Sequence, residues 1–70
     1  MEKLDRIFEK LSLSIINEEI AKSKVYYTLL TKDNVIVYIN FSNKSINQNS
    51  SSTIEKQIVT KIKKTKEKMV

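Results

Sequence analysis

The sequence predicts a small α+β domain in the order α-β-β-α, in which an antiparallel two-stranded hairpin lies between an N-terminal helix and a basic C-terminal helix. Two observations predict this order. Apolar residues recur with helical spacing near both ends of the chain, and two runs rich in Val, Ile, Tyr and Thr lie between them. A length of 70 residues limits the chain to one domain, which we expect to span residues 1–70.

An amphipathic helix is predicted at the N-terminus. Its first apolar stripe consists of Leu4, Ile7, Phe8, Leu11 and Ile15. Beyond Ile15 the stripe fails, because Glu18 and Glu19 fall on or beside it. A second, rotated stripe consists of Leu13, Ile16 and Ile20. We expect either a bend near residues 12–14 or a straight helix that buries two faces, and a second buried face indicates a partner.

The hairpin is predicted from strands over residues 25–31 and 35–41. A two-residue loop, Asp33-Asn34, would place Tyr26 on the same face as Val37. A three-residue loop beginning at Lys32 gives one strongly apolar face and places Asn34 where a left-handed residue is required, so we prefer it. The apolar face then consists of Val25, Tyr27, Leu29, Thr31, Val35, Val37, Ile39 and Phe41.

The opposite face of the hairpin keeps large apolar and aromatic groups. They would form a patch of a few hundred Å², the size at which exposed patches begin to indicate contact. The N-terminal helix, a second copy of the chain or a foreign protein could cover it, and tyrosine suits such interfaces. The predicted partner or dimer interface consists of Tyr26, Leu30, Ile36, Tyr38, Leu13, Ile16 and Ile20.

A polar segment and a second helix follow the hairpin. Residues 42–52 (SNKSINQNSSS) predict a flexible connection, either a plain linker or a binding loop. Ser52 and Glu55 have the spacing of a capping box, which predicts a helix from there to about Lys68. The apolar stripe of this helix consists of Ile54, Ile58, Ile62 and Met69.

Lysine covers the rest of the C-terminal helix. Residues 53–70 carry six Lys against two Glu, a local charge of +4 within a net charge of +5. Such a helix can be a solvated face, or it can contact phosphates, a membrane surface or an acidic protein. The residues proposed for phosphate contact are Lys56, Lys61, Lys63, Lys64, Lys66 and Lys68.

The composition argues against catalysis and metal binding. The chain contains no Cys and no His, which excludes disulfides and the usual zinc ligands. No Gly is present for a phosphate-binding loop, and the carboxylates fall mainly at turns, caps and solvated helix positions. We therefore expect no enzymatic activity, no cofactor and no metal. A chain this small is marginally stable alone, so association is the expected aid, and a homodimer is the simplest form.

The start of the chain does not resemble a signal peptide, and no apolar run approaches the ~20 residues of a membrane span, which predicts a cytoplasmic protein. The expected function is a small non-enzymatic module that binds a protein target as a homodimer. An inhibitor or adaptor from a phage or mobile element would fit its size and its Lys-, Asn- and Ile-rich composition. The alternative is a nucleic-acid-binding protein that contacts phosphates through the C-terminal helix.

Overall fold

The computed structural model describes residues 2–69, which form three helices and one three-stranded antiparallel sheet of strand order β1-β2-β3. The elements are α1 (Glu2–Lys10), β1 (Ser14–Ile20), β2 (Lys24–Leu30), β3 (Ile36–Ser42), α2 (Asn43–Gln48) and α3 (Ser51–Glu67). The prediction of a small α+β domain is confirmed. The prediction of only two strands is wrong, because β1 adds a third strand where a longer N-terminal helix was expected.

Helix α1 ends earlier than the sequence predicts. Ser12 has a φ of 57°, in the left-handed region. Its N–H donates to the Glu9 carbonyl at 3.1 Å, and the Leu13 N–H donates to the Phe8 carbonyl at 2.8 Å. These two bonds form a Schellman motif, which satisfies the last carbonyls of a helix and turns the chain away from its axis. The second stripe therefore belongs to no helix, because the chain has left the helical path at Ser12.

Strand β1 is an edge strand with every residue exposed. It pairs antiparallel with β2, and its register shifts between Ile15 and Asn17, so that Ile16 forms a bulge. A strand exposed on both faces needs no alternation of apolar and polar residues, which is why its pattern did not predict a strand. Bulges at sheet edges limit uncontrolled pairing with other chains.

The β2–β3 hairpin confirms the preferred register. Val25 lies opposite Phe41, and Leu29 lies opposite Val37. The Thr31 N–H donates to the Val35 carbonyl at 2.9 Å, which extends the pairing by one residue on each strand and leaves a three-residue loop. Within this loop, Asn34 takes the left-handed conformation with a φ of 64°. The Thr31 hydroxyl accepts from the Val35 N–H at 3.0 Å, which holds the end of the loop.

All three helices contribute buried side chains to one core on one face of the sheet. The core cluster consists of Leu4, Ile7, Phe8, Leu13, Val25, Tyr27, Leu29, Phe41, Ile46, Ile54 and Ile58. Its β2 members alternate along the strand, so they mark the helix-facing side of the sheet. The opposite side of the sheet, called the back face below, receives no buried helix residue from this cluster.

The polar segment 42–52 is more structured than a flexible connection. It contains α2, whose N-cap Ser42 accepts a hydrogen bond from the Ser45 N–H at 3.0 Å. The N-cap of α3 is Ser50, which accepts from the Thr53 N–H at 3.2 Å, so the predicted cap at Ser52 is wrong by two residues. The Glu55 carboxylate pairs with Lys10 at 3.0 Å instead of closing a capping box.

Candidate functional site

The back face of the sheet is open to solvent. Tyr38 is 67% exposed, Ile36 is 47% exposed and Tyr26 is 43% exposed. Leu30 lies beside them and is partly buried. The N-terminal helix does not cover this patch, because α1 packs on the other side of the sheet, where Phe8 meets Tyr27. Of the three occupants considered from the sequence, a second copy and a foreign partner remain.

The other residues of the predicted interface lie outside the hairpin, on or just before strand β1. Leu13 is buried in the core cluster, where it follows the Schellman turn. Ile16 occupies the bulge of β1 and is 52% exposed. Ile20 lies opposite Val25, on the helix-facing side of the edge strand, and is 78% exposed. The structure thus brings together the four hairpin residues and separates them from Leu13, in the core, and from Ile20, on the helix-facing side.

A shallow depression of about 360 Å³ occupies the back face and its rim. Its functional side chains comprise two exposed tyrosines, two amides, one hydroxyl, one carboxylate and one ammonium group. These are Tyr26, Tyr38, Asn17, Asn40, Thr28, Glu19 and Lys61. The sequence did not indicate Asn17 or Glu19 here, because they lie on the strand that it did not predict. Once β1 is paired with β2, both fall opposite back-face residues of β2.

A second depression, of about 400 Å³, runs along one flank of α3. Its lining residues recur at intervals of three and four, so they form one face of the helix. This face, called the basic flank below, consists of Thr53, Lys56, Gln57, Thr60, Lys61 and Lys64. Lys61 lines both depressions, so the basic flank and the back face form one continuous surface.

The six lysines proposed for phosphate contact do not act as one set. Lys56, Lys61 and Lys64 lie together on the basic flank. Lys66 instead donates a hydrogen bond to the Asp33 carboxylate at 2.7 Å, and this bond holds the pKa of Asp33 below its usual value. The remaining two, Lys63 and Lys68, are exposed on α3 and its C-cap, outside both depressions.

A third depression, of about 530 Å³, lies between α1 and the start of α3, but its cations are engaged. Arg6 pairs with Glu2 at 2.8 Å. Lys10 pairs with Glu55, and the Lys3 ammonium donates to the Ile46 and Asn49 carbonyls. This surface therefore offers less unneutralised positive charge to an anion than the basic flank does.

Within residues 2–69 no cluster of three or more acidic side chains is placed to hold a metal ion. No helix in the same range combines the length and apolar character that crossing a bilayer requires. The chain matches no protein-family model, and no curated protein or solved structure is significantly similar to it. The surface formed by the basic flank and the back face is the candidate functional site.

Proposed function

We propose that the protein is a non-enzymatic nucleic-acid-binding module that contacts phosphates through the basic flank of α3. The observation that carries this proposal is the convergence of Lys56, Lys61 and Lys64 on one face of a 17-residue helix. Three ammonium groups on a rigid element can follow a phosphate backbone, and each contact releases condensed counterions. The hydroxyl and amide groups of Thr53, Gln57 and Thr60 can donate hydrogen bonds to phosphate oxygens between them.

The distribution of charge supports this surface over the others. Within the described residues, no acidic side chain forms an ion pair with Lys56, Lys61 or Lys64. By contrast, Arg6 and Lys10 on α1 are both ion-paired. A net charge of +5 also favours encounter with a polyanion, because it raises the local concentration of the ligand.

A salt series of binding measurements tests the proposal. The double variant Lys56→Gln/Lys64→Gln keeps good helix formers on α3 and removes two charges from the basic flank. Fluorescence anisotropy with labelled oligonucleotides should give a log–log salt slope that is smaller by about 2 in this variant. The matched control, Lys22→Gln/Lys44→Gln, removes two charges outside the flank and should leave the slope nearly unchanged. Equal slopes for both double variants would contradict the proposal.

A second candidate function is protein binding as a homodimer of inhibitor or adaptor type. The exposed apolar groups of the back face support it, since Ile36 and Tyr38 are the kind of residues that a dimer buries. A stable chain of this size without disulfides commonly gains stability from association. Sedimentation velocity over a concentration series measures this directly. A dimer that dissociates in Tyr38→Glu would favour this function.

A further inference from the structure

We propose that the back face binds the unpaired bases of a single-stranded nucleic acid, which stack on Tyr26 and Tyr38 while Lys61 contacts the adjoining phosphate. This inference rests on the proposed function and names the class of nucleic acid. The two tyrosine rings are exposed on the same depression as the Lys61 side chain. Aromatic rings beside a positively charged groove are the usual means by which single strands are held without sequence preference.

The register of the sheet sets the spacing of the two rings. Tyr26 lies opposite Asn40 and Tyr38 lies opposite Thr28, so the tyrosines are diagonal neighbours on adjacent strands. Diagonal neighbours are about 7–8 Å apart. Stacked bases in one strand rise only ~3.4 Å, so two successive bases reach both rings only when they separate. A flexible single strand can open in this way, whereas the bases of a duplex are held inside the helix.

The polar groups around the rings favour this ligand over a second copy of the chain. Asn17, Asn40 and Thr28 provide donors and acceptors in the same depression. Base edges carry matching donors and acceptors, which such side chains bind in single-strand readers. A dimer core, in contrast, is depleted in unpaired polar groups, because their burial without partners is unfavourable.

The charged side chains indicate where the phosphates of the bound nucleic acid lie on the back face. Lys61 joins the depression to Lys56 and Lys64, so phosphates are expected along the side of β3 that adjoins α3. Glu19 lies on the edge strand β1 in the same depression and repels phosphate. We therefore expect Glu19→Gln to tighten binding by roughly 2- to 5-fold at low salt, because one like charge is removed.

The test compares labelled oligothymidine and oligouridine of about 12 nucleotides with a duplex of equal length, at low salt. Both single strands should bind more tightly than the duplex. The ratio of the two single-strand affinities then shows whether DNA or RNA is the preferred ligand. Tyr38→Ala and Tyr26→Ala should each weaken single-strand binding roughly 5- to 100-fold. Tyr38→Phe and Tyr26→Phe keep the aromatic face and should bind within about 3-fold of the unmodified protein.

The outcomes separate this inference from the proposed function. Single-strand binding that survives both alanine substitutions, or a duplex bound as tightly as the single strand, would overturn the inference. If Lys56→Gln/Lys64→Gln still lowers the salt slope of binding after either of these results, phosphate contact through the basic flank stands although base stacking on the tyrosines does not. A dimer at the binding concentration that dissociates in Tyr38→Ala would assign the back face to a second copy and would also overturn the inference. Far-ultraviolet circular dichroism shows that each variant remains folded.

Discussion

The ring of Phe8 on α1 meets the ring of Tyr27 on β2 edge to face, with centroids 4.9 Å apart and an interplanar angle of 76°. This geometry places the positive edge of one ring against the negative face of the other and contributes about 0.5–1.5 kcal/mol beyond area burial. It fixes α1 on the helix-facing side of β2. The consequence for the binding surface is direct, because α1 cannot also cover Tyr26 on the back face.

The Tyr27 hydroxyl provides a test of the core. It is buried, and although the Glu18 carboxylate is near it, no group among the described residues meets it in hydrogen-bonding geometry. An unpartnered buried hydroxyl is unfavourable, whereas its removal leaves the ring and its contact with Phe8 in place. We expect Tyr27→Phe to raise the free energy of unfolding by about 1 kcal/mol at neutral pH, as measured by urea unfolding. A loss of 1 kcal/mol or more would show that the hydroxyl is hydrogen-bonded in solution.

The same variant tests a pH dependence. Burial raises the pKa of Tyr27 above its ordinary value of about 10, and the nearby carboxylates of Glu18 and Asp5 raise it further. Above pH 10 the unfolded chain therefore releases this proton before the folded chain does, and the free energy of unfolding falls as pH rises. Tyr27→Phe should lose less stability than the unmodified protein between pH 9 and about pH 11. Lysine titration is common to both proteins and cancels in the comparison. Parallel plots of the free energy of unfolding against pH would therefore contradict a raised pKa for Tyr27.

The start of α3 gives a prediction with an internal control. Ser50 accepts a hydrogen bond from the Thr53 N–H, whereas Ser52 lies within the first turn of the helix. Ser50→Ala should lower the free energy of unfolding by about 1 kcal/mol, the usual contribution of an N-cap. Ser52→Ala should change it by less than about 0.5 kcal/mol, because alanine is favoured inside a helix. Thermal unfolding of the two variants measures the difference. A larger loss of stability in Ser52→Ala than in Ser50→Ala would instead make Ser52 the N-cap, as the capping-box spacing predicts.

The hairpin could be predicted from the sequence because its local chemistry and its burial agree. Asn34 tolerates the left-handed conformation that a three-residue loop requires, and the resulting register buries every second residue of β2. Strand β1 lacks both signals. Its residues are all exposed, and the apolar residues Leu13, Ile16 and Ile20 happen to fall at helical spacing although they lie in three different environments.

Helix α2 could not be predicted because its stability depends on distant residues. Ile46 is its buried anchor in the core, while the Lys3 ammonium, 43 residues earlier in the chain, donates to the Ile46 carbonyl at 2.9 Å and to the Asn49 carbonyl. A cation at the carbonyl end of a helix satisfies groups that a six-residue segment cannot satisfy internally. No local pattern in a polar, Ser- and Asn-rich segment carries that information.

The tyrosines and lysines of the candidate site could be predicted one by one, but its β1 residues Asn17 and Glu19, and the surface as a whole, could not. The back-face tyrosines follow from the hairpin register, and the lysines of α3 follow from helical spacing. The contact between the tyrosine surface and the lysine surface does not follow from either pattern, because Lys61 reaches the back face only through the packing of α3 near β3. The packing angle of a helix on a sheet depends on the whole core, so one sequence pattern cannot give it.

The end of α1 supplies the last prediction. Ser12 holds a left-handed conformation that is unfavourable for any residue with a Cβ atom, and the chain contains no glycine to relieve it. Ser12→Gly should therefore raise the free energy of unfolding by about 0.5–1 kcal/mol, since the gain at this φ outweighs the greater flexibility of glycine in the unfolded chain. Ser14→Gly, at the first residue of β1, should instead lower it, because glycine gains nothing in an extended strand. Urea unfolding measures the free energy of unfolding of both variants. A decrease in both would mean that Ser12 does not adopt the left-handed conformation.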